Sequence, residues 1–512
     1  MGFDTHDDSD SDFDNAFGHK IRITGGVEVG VSFWEGLCIM VHSLAVLCEE
    51  GVMVLRKWFV CISVVAVGLW GGAEPILPAG LGGSSEPALP AGLGGGVEAK
   101  AVAEEGISGW RLPDGLSGFW EVRGGVRLQH DRYEKSASIG ESRLQLHYER
   151  PGERVEVKVV SDFLYDPVLN SHTPRLNRGS GVIDLRQANL LLRPADFVDM
   201  TIGRQIMTWG TGDMLFINDL FPKDWNSYFC GRDDEYLKGP SDGIKGSFFS
   251  SLVNLDVIYT PQFDSDRFID GRRISYWSDG SGRRAGRDGV VEPLRPNDPF
   301  DDDEWAARLY RNVGAYEVAL YGYDGFWKSP GGADRVSGRA IFPRLQVYGA
   351  SLRGPLASGI VSLETGWYRS RDDKNGSNPM INNSELRYLV GYEQELAHDL
   401  TGGVQYYVEN MRGYGAYRRS LPQGMSERDE YRHVVTVRLT KLLMSQNLNL
   451  GVFLYWSPSD HDMYVRPKAS YKLDDYWTVE VGGNIFVGRD SHTFFGQFER
   501  NNNVYAAVRY GF

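Results

Sequence analysis

Residues 384–411 read SELRYLVGYEQELAHDLTGGVQYYVENM. Polar and apolar side chains alternate through YLVGYEQEL (388–396) and again through GVQYYVE (403–409), the period-two signature of strands with two unlike faces. Only 397–399 separate the candidate strands 384–396 and 400–411, so the pair forms a tight antiparallel hairpin. In water such a hairpin belongs to a sandwich with one wet face. In a bilayer the same pattern turns the apolar face to lipid and the polar face to a lumen. Periodicity does not separate these two cases, but the lengths of the connections do.

Working outward, the pattern recurs from residue 118 to the end. WEVRGGVRLQ places Trp120, Val122, Val126 and Leu128 on one face and Glu121, Arg123, Arg127 and Gln129 on the other. RLQLHYE (143–149), VEVKV (155–159), LNLGVFLYW (448–456) and WTVEVGGNIFV (477–487) repeat it. About 18 candidate strands (16–18) follow, most of them near the roughly 9–11 residues that a tilted strand needs to cross a membrane. Connections are short after the even-numbered candidates and long after the odd ones, the two longest being 209–241 and 262–302. A sandwich has no reason to sort its loops this way. A transmembrane barrel does, with short turns on one side of the membrane and long loops on the other. The expected fold is therefore all-β: a transmembrane, antiparallel, up-and-down β-barrel over 118–512. Trp120, Tyr148, Trp305, Trp367, Trp456, Trp477 and Tyr510 gather near strand ends, where interfacial girdles form.

The charge of −14 argues against nucleic acid as a partner, because a nucleic-acid binder carries a basic footprint. The sequence holds four cysteines, Cys38, Cys48, Cys61 and Cys230, without a haem-attachment motif. Neither a metal nor a cofactor is expected. Residues 53–73, MVLRKWFVCISVVAVGLWGGA, read as a signal peptide. Arg56 and Lys57 lead a short apolar run, and Gly71 and Ala73 are the small residues before the cut. Met53 or a nearby codon is then the expected start, with 1–52 an upstream extension. The alternative is a genuine acidic extension before an internal anchor. EPILPAGLGGSS (74–85) and EPALPAGLGGGV (86–97) repeat within 74–117, a Pro/Gly-rich stretch read as a linker.

Inside a barrel of this size the polar faces line a water-filled lumen. The basic lumen candidates are Arg123, Arg127, Arg143, Arg466, Lys468 and Lys472, with Lys158, Arg186, Arg308, Arg438 and Arg509 on the same parity. Acidic candidates are fewer: Glu121, Glu156, Asp162, Asp184, Glu364, Glu409 and Glu480. A cationic ring favours anions; the alternative is mixed charge that cancels across a wide pore. In 209–225, WGTGDMLFINDLFPKDW, the apolar residues are suited to pack the loop against the wall. Asp213, Asn218, Asp219, Lys223 and Asp224 are left to cap its turns or face the pore as its constriction. In 262–302, Arg272, Arg273, Arg283, Arg284, Arg287 and Arg295 are candidates for lipopolysaccharide phosphates, and the acidic run from Asp298 to Glu304 for a divalent cation. A solvated, mobile external loop is the plainer reading.

The stretch 118–512 resembles the porin-like outer-membrane barrels of Gram-negative bacteria, and GRQIMTWGTGD (203–213) is similar to a segment of alginate-export-type barrels. VYAAVRYGF (504–512) resembles the C-terminal signature strand of outer-membrane proteins, whose terminal aromatic, here Phe512, is read by the barrel-assembly machinery. The resemblance implies a passive channel for small or anionic polar solutes, a setting of outer-membrane lipid and lipopolysaccharide, and a homotrimer as the candidate assembly. It implies a third external loop that narrows the lumen; alginate-export similarity would add transit of an anionic polysaccharide. Two other classes compete. One is a sheath or scaffold around a partner such as a haem protein. The other is an outer-membrane enzyme, which the lack of a G-x-S-x-G elbow disfavours. His433 shares a face with Val435 and Val437 and reads as structural.

Overall fold

Strands whose two faces differ must bury one face and present the other to a matching solvent. The computed structural model, which describes residues 112–169 and 181–512, meets that demand with one closed sheet. The upstream extension 1–52, the signal peptide 53–73 and residues 74–111 of the linker lie outside the described residues. In chain order the strands of the closed sheet are β1 Leu116–Arg127, β2 Ala137–Arg150, β3 Val155–Tyr165, β4 Ile183–Ala195, β5 Val198–Gln205, β6 Ser241–Phe248, β7 Asn254–Thr260, β8 Glu304–Val313 and β9 Tyr316–Phe326. They continue with β10 Arg344–Leu356, β11 Gly359–Ser370, β12 Glu385–Ala397, β13 Leu400–Met411, β14 Tyr431–Leu443, β15 Leu448–Ser457, β16 Asp462–Lys472, β17 Trp477–Gly488 and β18 Asn503–Gly511.

Each strand pairs with its sequence neighbour, and β1 closes the ring against β18, with Trp120 opposite Tyr510 and Val122 opposite Val508. Closure removes the two edges that an open sheet of eighteen strands would leave unpaired. The quoted hairpin is β12–β13, with Tyr388 opposite Val408 and Val390 opposite Tyr406.

The sidedness is the reverse of a water-soluble barrel. Trp120 is 47% exposed, while Glu121 and Arg123 beside it are 3% and 1% exposed. Leu309, Leu320, Val390, Val404 and Val481 are likewise exposed, whereas Arg143, Asp162, Asp184, Glu364 and Glu480 are buried. Apolar outside and ionic inside is what hydrocarbon solvent requires of a barrel. Aromatic pairs mark both rims. Trp477 meets Tyr510 at 4.9 Å near the short turns, and Tyr259 meets Trp305 at 4.5 Å near the long loops.

Two details depart from the expected layout. The connection 458–461 between β15 and β16 is short although it lies at the rim of long loops. And β5 ends at Gln205 rather than at residue 208. The Gln205 side chain there donates to the Gly243 carbonyl (3.2 Å), and the chain then leaves the wall. The pairing of β16 with β17 is interrupted at Arg466 and Pro467. A proline brings no N–H to a ladder.

Candidate functional site

The connection 206–240 crosses the inside of the barrel. Gly210 (φ 85°) turns the chain off β5 in a conformation that favours glycine. The next residues lie along β10–β15. The Glu364 carboxylate on β11 accepts the backbone N–H groups of Thr211 (2.9 Å), Gly212 (3.1 Å) and Asn218 (2.8 Å). Gln405 on β13 accepts from Asp213 N (2.8 Å), and Arg438 on β14 donates to the Asp213 carboxylate (2.8 Å). Tyr455 donates to the Met214 carbonyl (2.8 Å) and Tyr368 to that of Ile217. Glycines on the wall make room: a Cβ on Gly366 would stand 2.7 Å from Ile217 Cγ2, and one on Gly349 would overlap Asn218. Met214, Ile217 and Phe221 are buried in one core with Leu345, Val347, Leu389, Val434 and Phe453 of the strands.

The loop then forms a short helix, α1 (Trp225–Cys230). The Asp224 carboxylate caps it by accepting from Ser227 N (2.8 Å), and Gly231 ends it at φ 90°. Tyr228 and Phe229 pack among Tyr464, Phe486 and Phe498. Beyond α1, Arg123 of β1 donates to the Gly231 carbonyl (2.7 Å), and Arg232 pairs with Glu141 of β2. Asp233 lies 3.5 Å from Arg509 and 3.7 Å from Lys468, while Asp234 pairs with Arg466. Tyr236 lies beneath both Arg143 (4.1 Å) and Arg186 (4.6 Å). The loop thus touches the inner faces of strands from β1 round to β18.

Electrostatics follow this burial. Burial pushes the Asp213 carboxyl up to about 6, with Arg438 opposing the rise. Asp234 is partly desolvated, but Arg466 and Lys468 hold it below the usual carboxylate range. Glu235 is raised by burial and by Asp233 beside it.

Of the residues expected at a constriction, Asp213 meets Arg438 as described. The other four do not present their polar groups to open water: Asn218, Asp219, Lys223 and Asp224 are all buried. Asn218 donates to Glu364 (2.9 Å), Lys223 pairs with Asp219 (2.9 Å), and Asp224 caps α1 and meets Arg267 (3.2 Å). The reason is that the apolar residues between them are drawn into the lumen core, and polar neighbours dragged along must find partners.

The basic residues also differ from an unopposed ring. Arg123 meets Glu121 (2.9 Å) and Glu480 (2.6 Å), Arg143 meets Glu141 (2.7 Å) and Asp162, and Arg466 meets Asp234. Arg127 donates to the Ala137 carbonyl (2.9 Å), and Lys468 stands 3.3 Å from Glu480. Lys472 is exposed at the rim of short turns. Glu141 escaped the sequence reading although it shares the parity of Arg143. Asp233, Asp234 and Glu235 escaped it because loops have no period.

The connection 261–303 covers this loop as a second layer and is not simply a solvated one. Asp266 accepts from Lys223 N (2.7 Å) and Trp225 Nε1 (3.2 Å), and Phe263, Phe268 and Ile274 are buried. Six of its arginines meet acids of the protein itself: Arg267 with Asp184 (2.7 Å), Arg272 with Asp270 and Glu292, Arg273 with Asp166 (2.5 Å), Arg283 with Asp288 (2.9 Å), Arg284 with Glu499 (3.1 Å) and Arg287 with Glu134 (3.0 Å). Arg295 lies over Phe342 at 5.6 Å. These pairings compete with a lipopolysaccharide phosphate for the same guanidinium groups. Glu304, in the acidic run, pairs with Lys328 (2.6 Å). Among the described residues no group of His, Cys, Asp or Glu is placed to hold a metal ion. In GRQIMTWGTGD, Arg204 donates to Asp242 (2.7 Å) and to the Leu185 carbonyl (2.6 Å), a strand-joining role.

No family model matches the chain, and no curated relative does. Solved structures do resemble it. OccK11 (OpdR) of Pseudomonas aeruginosa is 11% identical, over 77% of this chain and 95% of that one, with a TM-score of 0.46. OccAB4 of Acinetobacter baumannii is 10% identical, over 78% and 97%, with a TM-score of 0.47. A mutant of Rh. blastica porin is 10% identical, over 78% and 99%, with a TM-score of 0.33.

Proposed function

We propose that the protein is a channel of the bacterial outer membrane whose lumen passes small anionic solutes and is narrowed by the loop 206–240. The observation that carries the reading is the inverted barrel: an apolar outer belt around an interior lined by paired charges. Such an interior serves no purpose in packing alone, because burying ion pairs is close to neutral or costly for stability. In this reading 53–73 directs export, 74–117 is a linker leading into the barrel, and Phe512 after β18 is the assembly signal. Outer-membrane lipid and lipopolysaccharide surround the barrel, and a homotrimer is the candidate assembly. Anionic polysaccharide is the large end of the same solute class.

The purified chain in a planar bilayer tests this. A salt gradient should give a measurable current with a reversal potential on the anion side, whereas clear cation selectivity would refute the anionic solute.

A second reading, a closed barrel acting as sheath or scaffold, is favoured by one observation: the apolar core that the loop builds inside the lumen. Such a barrel should stay silent in the bilayer and retain a partner during purification.

A further inference from the structure

Inside the wall formed by β16, β17, β18 and β1, four cations converge: Arg466, Lys468, Arg509 and Arg123. The strands supply two acids among them, Glu121 and Glu480. Glu121 and Glu480 both bind Arg123, at 2.9 and 2.6 Å, and they also reach Arg509 (2.9 Å) and Lys468 (3.3 Å). The remaining positive charge is met by the loop. Asp234 pairs with Arg466, Asp233 lies 3.7 Å from Lys468 and 3.5 Å from Arg509, and Glu235 lies 3.7 Å from Arg509.

Two features make these contacts replaceable. The contacts of Asp233 and Glu235 are long, at 3.5–3.7 Å, so they rest more on charge than on well-directed donors. And the loop carboxylates keep a wet side: Asp234 is 35% exposed and Glu235 34%, whereas Arg466 beneath is 4% exposed. Water can therefore bring another anion to the same cations.

We propose that Arg466, Lys468 and Arg509 form a binding site for a compact multivalent oxyanion, and that Asp233, Asp234 and Glu235 occupy it as a tethered competitor until such an anion displaces them. The inference rests on the channel reading above. A monovalent anion leaves most of the charge of three cations uncompensated, so the site favours higher valence. Displacement frees the segment that binds the loop to this half of the wall, and the lumen widens on arrival of its solute.

The test compares wild type with the variant Asp233→Asn/Asp234→Asn/Glu235→Gln in planar bilayers. The variant should roughly double its conductance or more and shift its reversal potential further to the anion side, because the wall, with four cations against Glu121 and Glu480, is left net positive. Citrate or pyrophosphate at constant ionic strength should raise wild-type conductance and leave the variant unchanged. A response to citrate alone marks carboxylates as the ligand, and one to pyrophosphate alone marks phosphates. Equal conductance and selectivity in both proteins, with current present, overturns this inference and leaves the channel standing. Silence from both, with both barrels showing the same heat-modifiable mobility, overturns the channel and the inference together. A second measurement needs no variant. Hydrogen exchange over 232–238 of wild type should quicken with citrate or pyrophosphate but not with chloride; indifference to all three overturns the proposal.

Discussion

Glu364 shows at the scale of one residue why the loop stays inside the barrel. One carboxylate accepts backbone N–H groups at both ends of the turn 211–218. Gln in its place keeps one acceptor oxygen and turns an NH2 group toward the remaining donors. Glu364→Gln should weaken loop docking by about 1–3 kcal/mol, the cost of leaving buried partners unpaired. Limited proteolysis within 206–240 should quicken while the barrel stays intact. Asp213 adds a dependence on pH. Its docked carboxyl is raised to about 6 from the ordinary 3.8. A raised acid binds its proton more tightly when docked, so docking gains as pH falls from about 6 toward 3.8, and that gain is lost as pH rises through 6. Protection of 211–219, taken relative to the intrinsic exchange rate at each pH, should therefore be greater at pH 5 than at pH 7.5. Asp213→Asn should flatten that difference, and an unaltered pH profile in the variant would exclude Asp213 as its source.

At the scale of elements, the strands were legible and the loop was not. The hairpin of β12 and β13 could be placed from 384–411 because period-two alternation survives whatever lies inside the barrel. Arg123, Arg143 and Arg466 were assigned to the inner face by the same parity. Their acids were only half visible. Glu121 and Glu480 sit on strands, but Asp233, Asp234 and Glu235 arrive from a connection whose path depends on long-range packing. Asn218, Asp219 and Lys223, expected to cap turns or face the pore, show the same limit: polarity alone does not say whether a residue faces water or a buried partner. Ile217 and Phe221 decide it, since their burial takes the intervening residues with them. The wall is shaped for that burial at Gly366. Gly366→Val keeps the strand but puts a side chain where Ile217 lies, so overpacking should cost about 1–3 kcal/mol and loosen the loop. Conductance above wild type with unchanged barrel mobility is the expected outcome; wild-type conductance would mean that the loop does not bound the path.

On the scale of the whole molecule, the barrel solves two solvent problems at once. The outer face satisfies hydrocarbon with Trp120, Leu320 and Val481, and the inner face satisfies charge by pairing it across strands and loops. The two connections 206–240 and 261–303 turn what would be an open tube into a layered one. In the proposed channel the inserted loop is therefore the element that sets permeation. Single-channel conductance of wild type and of a variant lacking 212–224, measured side by side in planar bilayers, tests this most directly. The account predicts a larger conductance when the segment is removed. An unchanged conductance from a correctly folded barrel would contradict it, leaving 206–240 a structural filling and the path elsewhere.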